Sequence, residues 1–314
     1  MKRKLLLIPA VLLPLLCSCT KNTEPQAEED LSGILFACFE DPGTKTYVDD
    51  ALHLLWTKDD LLSVFEGNTY NHCYRFLGNT GDNYGNYKKI KPEGLISQFD
   101  LDEGYRSYYA VYPYNEDASI SYDGILHLTL PSLQHYAPGS FGLEDNTMVA
   151  VTDGMEDNVL RFKNIGGYLL IKLYADDATV RSVTVSTANK GGEPLAGNAD
   201  VTARHGSLPT YAYTSGTSQS ITVDCGEDGV RLGTSAAEPT VFWFVIPPVT
   251  LSHGFELTIT NTDGLSVTKS ASAEKTILRN TISTMTALKV AFSNPPQSYS
   301  QNGIDNLEES GFDW

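Results

Sequence analysis

A chain of 314 residues with 41% hydrophobic side chains is long enough for about two domains and apolar enough to fill a core, which excludes intrinsic disorder as its main state. Lys and Arg number 22 against 39 Asp and Glu, a net charge of −17, so the surface repels phosphate backbones and nucleic acid is excluded as a partner. Only 19% of residues are charged, while Tyr (17), Phe (12) and Gly (26) are abundant, a balance that favours strands and turns over solvent-facing helices.

In chain order, Lys2, Arg3 and Lys4 precede an apolar run over 5–16 that Pro9 and Pro14 interrupt. That run falls short of the roughly 20 residues a bilayer span needs, so 1–18 reads as a signal peptide. Its end, Leu16-Cys17-Ser18-Cys19, resembles the bacterial lipobox, in which a small residue precedes a cysteine that is diacylated on sulfur before cleavage. The resemblance implies Cys19 as lipidation site and mature N-terminus. Residues 19–32 are then a lipidated, acidic tether: polar, carrying Pro25, and unable to bury a face. Gln26-Ala27-Glu28-Glu29 resembles the acidic stretch behind the lipid cysteine of surface-exported lipoproteins of Bacteroidales, which implies the outer face of the outer membrane. Apart from Cys17 and Cys19, the cysteines are Cys38, Cys73 and Cys225, an odd number without a CxxC pair, and they read as buried apolar thiols.

From Gly33 onward short apolar or alternating runs recur between turn signals, the pattern of sandwiches. Strands are expected over 34–39, 52–57, 61–66, 73–77, 108–112, 125–130 and 147–152, then over 159–163, 168–174, 180–187, 221–223, 240–246, 255–261, 266–270 and 287–292. Asp123-Gly124, Asp228-Gly229 and Asp263-Gly264 are hairpin-type dipeptides, and Pro247-Pro248 ends the strand before it. The polar stretch 153–158 divides the pattern into an N-terminal domain, 33–155, and a C-terminal domain, 156–292, followed by an acidic tail, 293–314. Trp56 and Trp243 sit within strand patterns and are expected in the core, whereas Trp314 lies in the tail.

No constellation for chemistry emerges. His53, His72, His127, His135, His205 and His253 fall in no metal-ligand spacing, and no cofactor fingerprint is present. Gly139-Ser140-Phe141-Gly142 lacks the nucleophile-elbow spacing and reads as a turn, as does the oxygen-rich run 78–83. The expectation is therefore no catalytic residue, no metal and no cofactor.

Read together, the motifs resemble the fimbrillin family, the type V pilin-like lipoproteins of Bacteroidales, over nearly the whole chain. The carriers are Thr44-Lys45-Thr46 leading to Leu54-Leu55-Trp56-Thr57-Lys58-Asp59-Asp60, the aromatic strand Tyr109-Ala110-Val111-Tyr112-Pro113-Tyr114, and the turn Leu130-Pro131-Ser132-Leu133-Gln134. In the second half they are Leu160-Arg161-Phe162-Lys163-Asn164 with Leu169-Leu170-Ile171-Lys172-Leu173, and Phe242-Trp243-Phe244-Val245-Ile246-Pro247-Pro248. The resemblance implies an all-β fold of two tandem transthyretin-like β-sandwich domains and an outer-membrane surface lipoprotein of fimbriae. Its implied partners are other fimbrial subunits, membrane lipid through the acyl anchor, and a host or bacterial surface ligand.

In polymerising relatives a first strand is cut away after a basic residue, and the next subunit fills the groove. Here the matching place is Lys45, where those relatives have arginine. The removable strand is 34–39, apolar on both faces, with Ile34, Leu35, Phe36 and Phe39 covering the groove floor. The candidate donor strand carries Leu288, Val290 and Phe292 on one face, and the tail, with Ile304, Leu307, Phe312 and Trp314, is its rival. The alternative function is a surface glycan- or protein-binding lipoprotein that never polymerises, which an exposed row of aromatics along one sheet would favour.

Overall fold

The computed structural model describes residues 33–40, 54–67, 70–90, 106–188 and 191–292. All regular structure there is β, in 24 strands. The first twelve are β1 Ile34–Phe39, β2 Leu61–Glu66, β3 His72–Phe76, β4 Tyr84–Lys89, β5 Tyr108–Tyr112, β6 Ser119–Ile120, β7 Ile125–Leu130, β8 Leu133–Ala137, β9 Ser140–Phe141, β10 Met148–Val151, β11 Val159–Asn164 and β12 Gly167–Tyr174. They are followed by β13 Thr179–Thr187, β14 Ala196–Thr202, β15 Thr210–Ser218, β16 Ser220–Asp224, β17 Val230–Arg231, β18 Thr240–Ile246, β19 Val249–Leu251, β20 Phe255–Asn261, β21 Ser266–Ala271, β22 Lys275–Ile277, β23 Ile282–Thr284 and β24 Leu288–Lys289.

The first layer is a closed barrel in the order β1-β11-β10-β5-β2-β3-β4. Three of its strands, β2, β5 and β10, read as near-continuous apolar runs because both of their faces are covered. Along β2, Leu62 and Val64 point into the barrel while Phe65 points outward, and on β5 and β10 Ala110 and Met148 point in while Val111 and Val149 point out. The outward side chains meet Leu126, Leu128 and Val201 of a four-stranded sheet, β15-β14-β7-β6. A further sandwich encloses the largest core: Leu169, Ile171, Phe242 and Phe244 from the β18-β12-β23 sheet face Val183, Val185, Val223 and Leu257 from the sheet β21-β20-β13-β16-β8-β9.

Strands from either side of the expected 155/156 boundary share these sheets. β10 pairs with β11, β7 with β14, and β8 runs parallel to β16. Residues 159–164, expected in the C-terminal domain, complete the barrel between β10 and β1.

Most expected strands form within a residue or two of their expected bounds, and the hairpin dipeptides sit at turns, Gly124 with φ +82° and Gly264 with φ +81°. Three differences have physical causes. Residues 54–57 are not a strand: the Trp56 N–H donates to the Asp82 carbonyl (2.7 Å) and the Trp56 carbonyl accepts from Gly81 (2.9 Å), a clasp on a turn that drops the indole into the barrel mouth. Gln134 is not in a turn: it lies on β8, buried, its amide donating to the Val245 carbonyl (2.7 Å) and accepting from the Val245 N–H (2.9 Å). β4, β8, β14 and β15 escape the apolar pattern because they are polar; β15 reads TYAYTSGTS and is mostly exposed. Cys38, Cys73 and Cys225 form no disulfide and are each half-buried rather than buried.

Candidate functional site

The site is the seat of β1. This strand closes the barrel, pairing antiparallel with β4 (Leu35 opposite Tyr87, Ala37 opposite Gly85) and parallel with β11 (Ala37 opposite Leu160, Phe39 opposite Phe162). Leu35 and Ala37 are fully buried, and Phe39 lies 4.1 Å from Trp56 between ring centroids. Trp56 is the hub of the interior, with Tyr87, Tyr112 and Phe162 edge-on at 5.3 to 5.6 Å and Phe76 tilted at 6.1 Å. Gly85 is required opposite β1, since a Cβ there would collide with the Phe76 ring.

Of the four residues expected to cover the groove floor, the barrel takes in only Leu35 and Phe39. Ile34 and Phe36 belong to the other face of the pleat, are half-buried, and face outward, where Phe36 stacks on Tyr84 at 5.8 Å. Period-two alternation in a barrel assigns one face to the interior, and the apolar composition of the other is met by partial cover alone. Cys19 and Lys45 lie outside the described residues.

Beyond Phe39 the ladder continues, with the Glu40 N–H donating to the Phe162 carbonyl (2.9 Å). The Glu40 carboxylate meets Arg279, from the turn between β22 and β23, in a two-pronged pair: Nη1 on Oε1 and Nη2 on Oε2 at 3.0 Å. The Asn164 N–H also donates to Oε1 (2.7 Å), and its carbonyl accepts from Arg279 Nη1 (3.1 Å). The buried Asn164 amide donates to Asn280 Oδ1 (2.7 Å), and its Oδ1 accepts from buried Asn146 (2.8 Å). Sequence reasoning missed this cluster, because residues 40 and 279 acquire a relation only through the barrel closing against the second sandwich.

Leu288, Val290 and Phe292 pack into the second sandwich. Val290 is 2% exposed, its N–H donates to the Tyr174 carbonyl (2.8 Å), and Leu288 and Phe292 lean on the same core. Only Leu288–Lys289 is strand, running parallel to β12.

Two polar features adjoin the barrel. The β10–β11 hairpin is zipped at only two residue pairs, Met148 with Asn164 and Val149 with Lys163, and in its splayed mouth lies a cleft of about 670 Å³ lined by Val151, Asp157, Arg161, Lys163, Arg204 and His205 among others. Within it Arg161 pairs with Asp157 (3.0 Å) and Lys163 donates to the Ser207 carbonyl (2.7 Å). At the barrel rim, Glu66 accepts from Lys89 (3.0 Å) and lies 3.9 Å from His72. Among the described residues no group of three His, Cys, Asp or Glu is placed to hold a metal.

Burial pushes the His72 pKa below the ordinary 6.5, Glu66 opposes that, and Lys89 adds to it. As pH falls the unfolded chain is therefore protonated at this position first, so the stability carried by neutral His72 is present above about 6.5 and lost as pH drops through the folded value. Urea unfolding at pH 7.5 and pH 5 is expected to show a smaller loss for His72→Gln than for the unsubstituted protein. An identical loss in both would rule out His72 as a contributor.

No protein-family model matches the chain, and no curated protein is a significant match. Solved structures are similar in fold. One, ascribed to cell adhesion, from Bacteroides uniformis, is 19% identical with a TM-score of 0.45, covering 82% of this chain and 93% of that one. Another, ascribed to cell adhesion, from Bacteroides ovatus, is 13% identical with a TM-score of 0.44, covering 78% and 87%. A fimbrial protein from Bacteroides ovatus is 13% identical with a TM-score of 0.32, covering 82% of this chain and 50% of that one.

Proposed function

We propose that this chain is a surface-anchored adhesion subunit of fimbrial type, held to the outer membrane by lipid on Cys19 and joined to neighbouring subunits by replacement of β1. The observation that carries the reading is the seat of β1. A single short strand closes the barrel, is hydrogen-bonded along both edges, and supplies buried Leu35 and Ala37. A barrel missing such a strand has two unpaired edges flanking an apolar floor, which demands a strand from elsewhere. The chain does no chemistry in this role.

Electron microscopy of surface filaments with and without the chain tests it. Filaments that lose length or number without the chain support a subunit role; unchanged filaments would sink it. A second reading, a binding lipoprotein that does not polymerise, draws on the charged cleft in the β10–β11 mouth. It gains nothing from exposed aromatics, since Tyr84 lies on β4 while Tyr70 and Tyr122 lie in two separate connections and no row forms along one sheet.

Anchoring has its own test. Cys19→Ala is expected to leave uncleaved precursor or a product released from membranes, because two acyl signals hold a protein where one does not. Labelled fatty acid that is still incorporated into Cys19→Ala would place the lipid elsewhere.

A further inference from the structure

We propose that Arg279 and the Asn164 backbone N–H form a carboxylate subsite that selects which strand can occupy the β1 seat. The proposal rests on the strand-replacement reading and adds the chemistry of the incoming strand. The subsite is built by parts of the molecule that stay behind when β1 leaves: Arg279 comes from the β22–β23 turn and Asn164 from the end of β11. Both parts are held in place independently of Glu40. Asn164 is clasped by Asn146 and Asn280, and Asn280, in the left-handed region at φ +50°, is pinned through its N–H to the Gly166 carbonyl (2.8 Å).

The Arg279 side chain is 18% exposed and the Glu40 side chain 15%. A strand that refilled the seat without a carboxylate would bury this cation and the N–H without a counter-charge, an arrangement that costs far more than the pair contributes when intact. A planar guanidinium with a flanking N–H fits a carboxylate and nothing apolar. The seat therefore asks for more than apolar alternation. It asks for a large apolar side chain, a small one and an aromatic at alternate positions, as in Leu35, Ala37 and Phe39, with a carboxylate directly after the aromatic, as in Glu40.

This chemistry counts against Leu288, Val290 and Phe292 as the donor face, since Ser293 follows Phe292 and the strand is seated in its own core. The tail meets the pattern only in part: Phe312-Asp313 supplies the aromatic and the carboxylate and Ser310 the small residue, but Glu308 stands where the large apolar side chain is required.

The test uses the full chain with a single specific protease site inserted within 41–53. After cleavage, labelled peptides of residues 33–42 compete for the seat during dilution from moderate urea, followed by fluorescence anisotropy. The native peptide is expected to bind about tenfold or more tightly than its Glu40→Gln form, and the difference is expected to vanish on Arg279→Gln protein. Equal binding of the two peptides to protein with Arg279 intact would overturn the subsite while leaving strand replacement standing. Failure of every peptide to enter would overturn strand replacement and the subsite with it. The peptide comparison on the unsubstituted protein decides the matter even if Arg279→Gln does not fold.

Discussion

Removal of residues 33–40 is expected to abolish the folded monomer. β1 meets β4 at five residue pairs and β11 at four, so both ladders go at once. β11 is then left with only its two pairs to β10. Burying a side chain such as Leu or Phe contributes about 1.5 to 3 kcal/mol, and each intramolecular hydrogen bond about 1 kcal/mol net. Over this strand the loss rivals the 5 to 15 kcal/mol that typically holds a whole domain together. Cleavage within 41–53 alone is a different perturbation, because the ladders survive and the strand stays seated until denaturant or a competitor takes it out. Size-exclusion chromatography and near-ultraviolet circular dichroism distinguish the outcomes: oligomers or loss of fixed packing are expected for the deleted chain, and an intact, well-packed monomer for the nicked one. A deleted chain that stays monomeric with the unaltered urea midpoint would show β1 to be dispensable and favour the binding lipoprotein.

Trp56→Ala is expected to destabilise the protein by about 3 to 5 kcal/mol, the cost of a large aromatic removed from a packed interior. The indole is 1% exposed and touches five other rings, from β1, β3, β4, β5 and β11, so no single neighbour can collapse into the space it leaves. Its Nε1 is buried without a hydrogen-bond partner, so Trp56→Phe gives up area but no hydrogen bond and is expected to cost much less. Trp243 offers the contrast. It is 7% exposed on the outer face of β18 in a small cluster with Tyr168 and Val245, and Trp243→Ala is expected to cost less than Trp56→Ala. Urea unfolding monitored by circular dichroism measures all three; a loss below about 1 kcal/mol for Trp56→Ala would remove the indole as the hub of the barrel.

Alternation and turn dipeptides were enough to read an all-β chain and most of its strands, because period-two patterning and left-handed glycines are local properties of a few residues. The aromatic strand 108–112 and the strands 240–246 and 255–261 appear with the expected bounds, and both tryptophans are buried as expected, Trp243 on its strand and Trp56 without one. Local patterning fails where a strand is polar along most of its length, as in β15, or where a backbone clasp replaces a ladder, as at Trp56. It also cannot say which strands meet. Only the tertiary fold sends β7 to β14 and β8 to β16, turns Ile34 and Phe36 away from the interior, and seats Val290 in its own sandwich. The Glu40–Arg279 pair is the extreme case, two ordinary charges 239 residues apart in sequence. Neither charge carries a signal alone, since the electrostatic relation exists only once the barrel has closed and water has been excluded from around them.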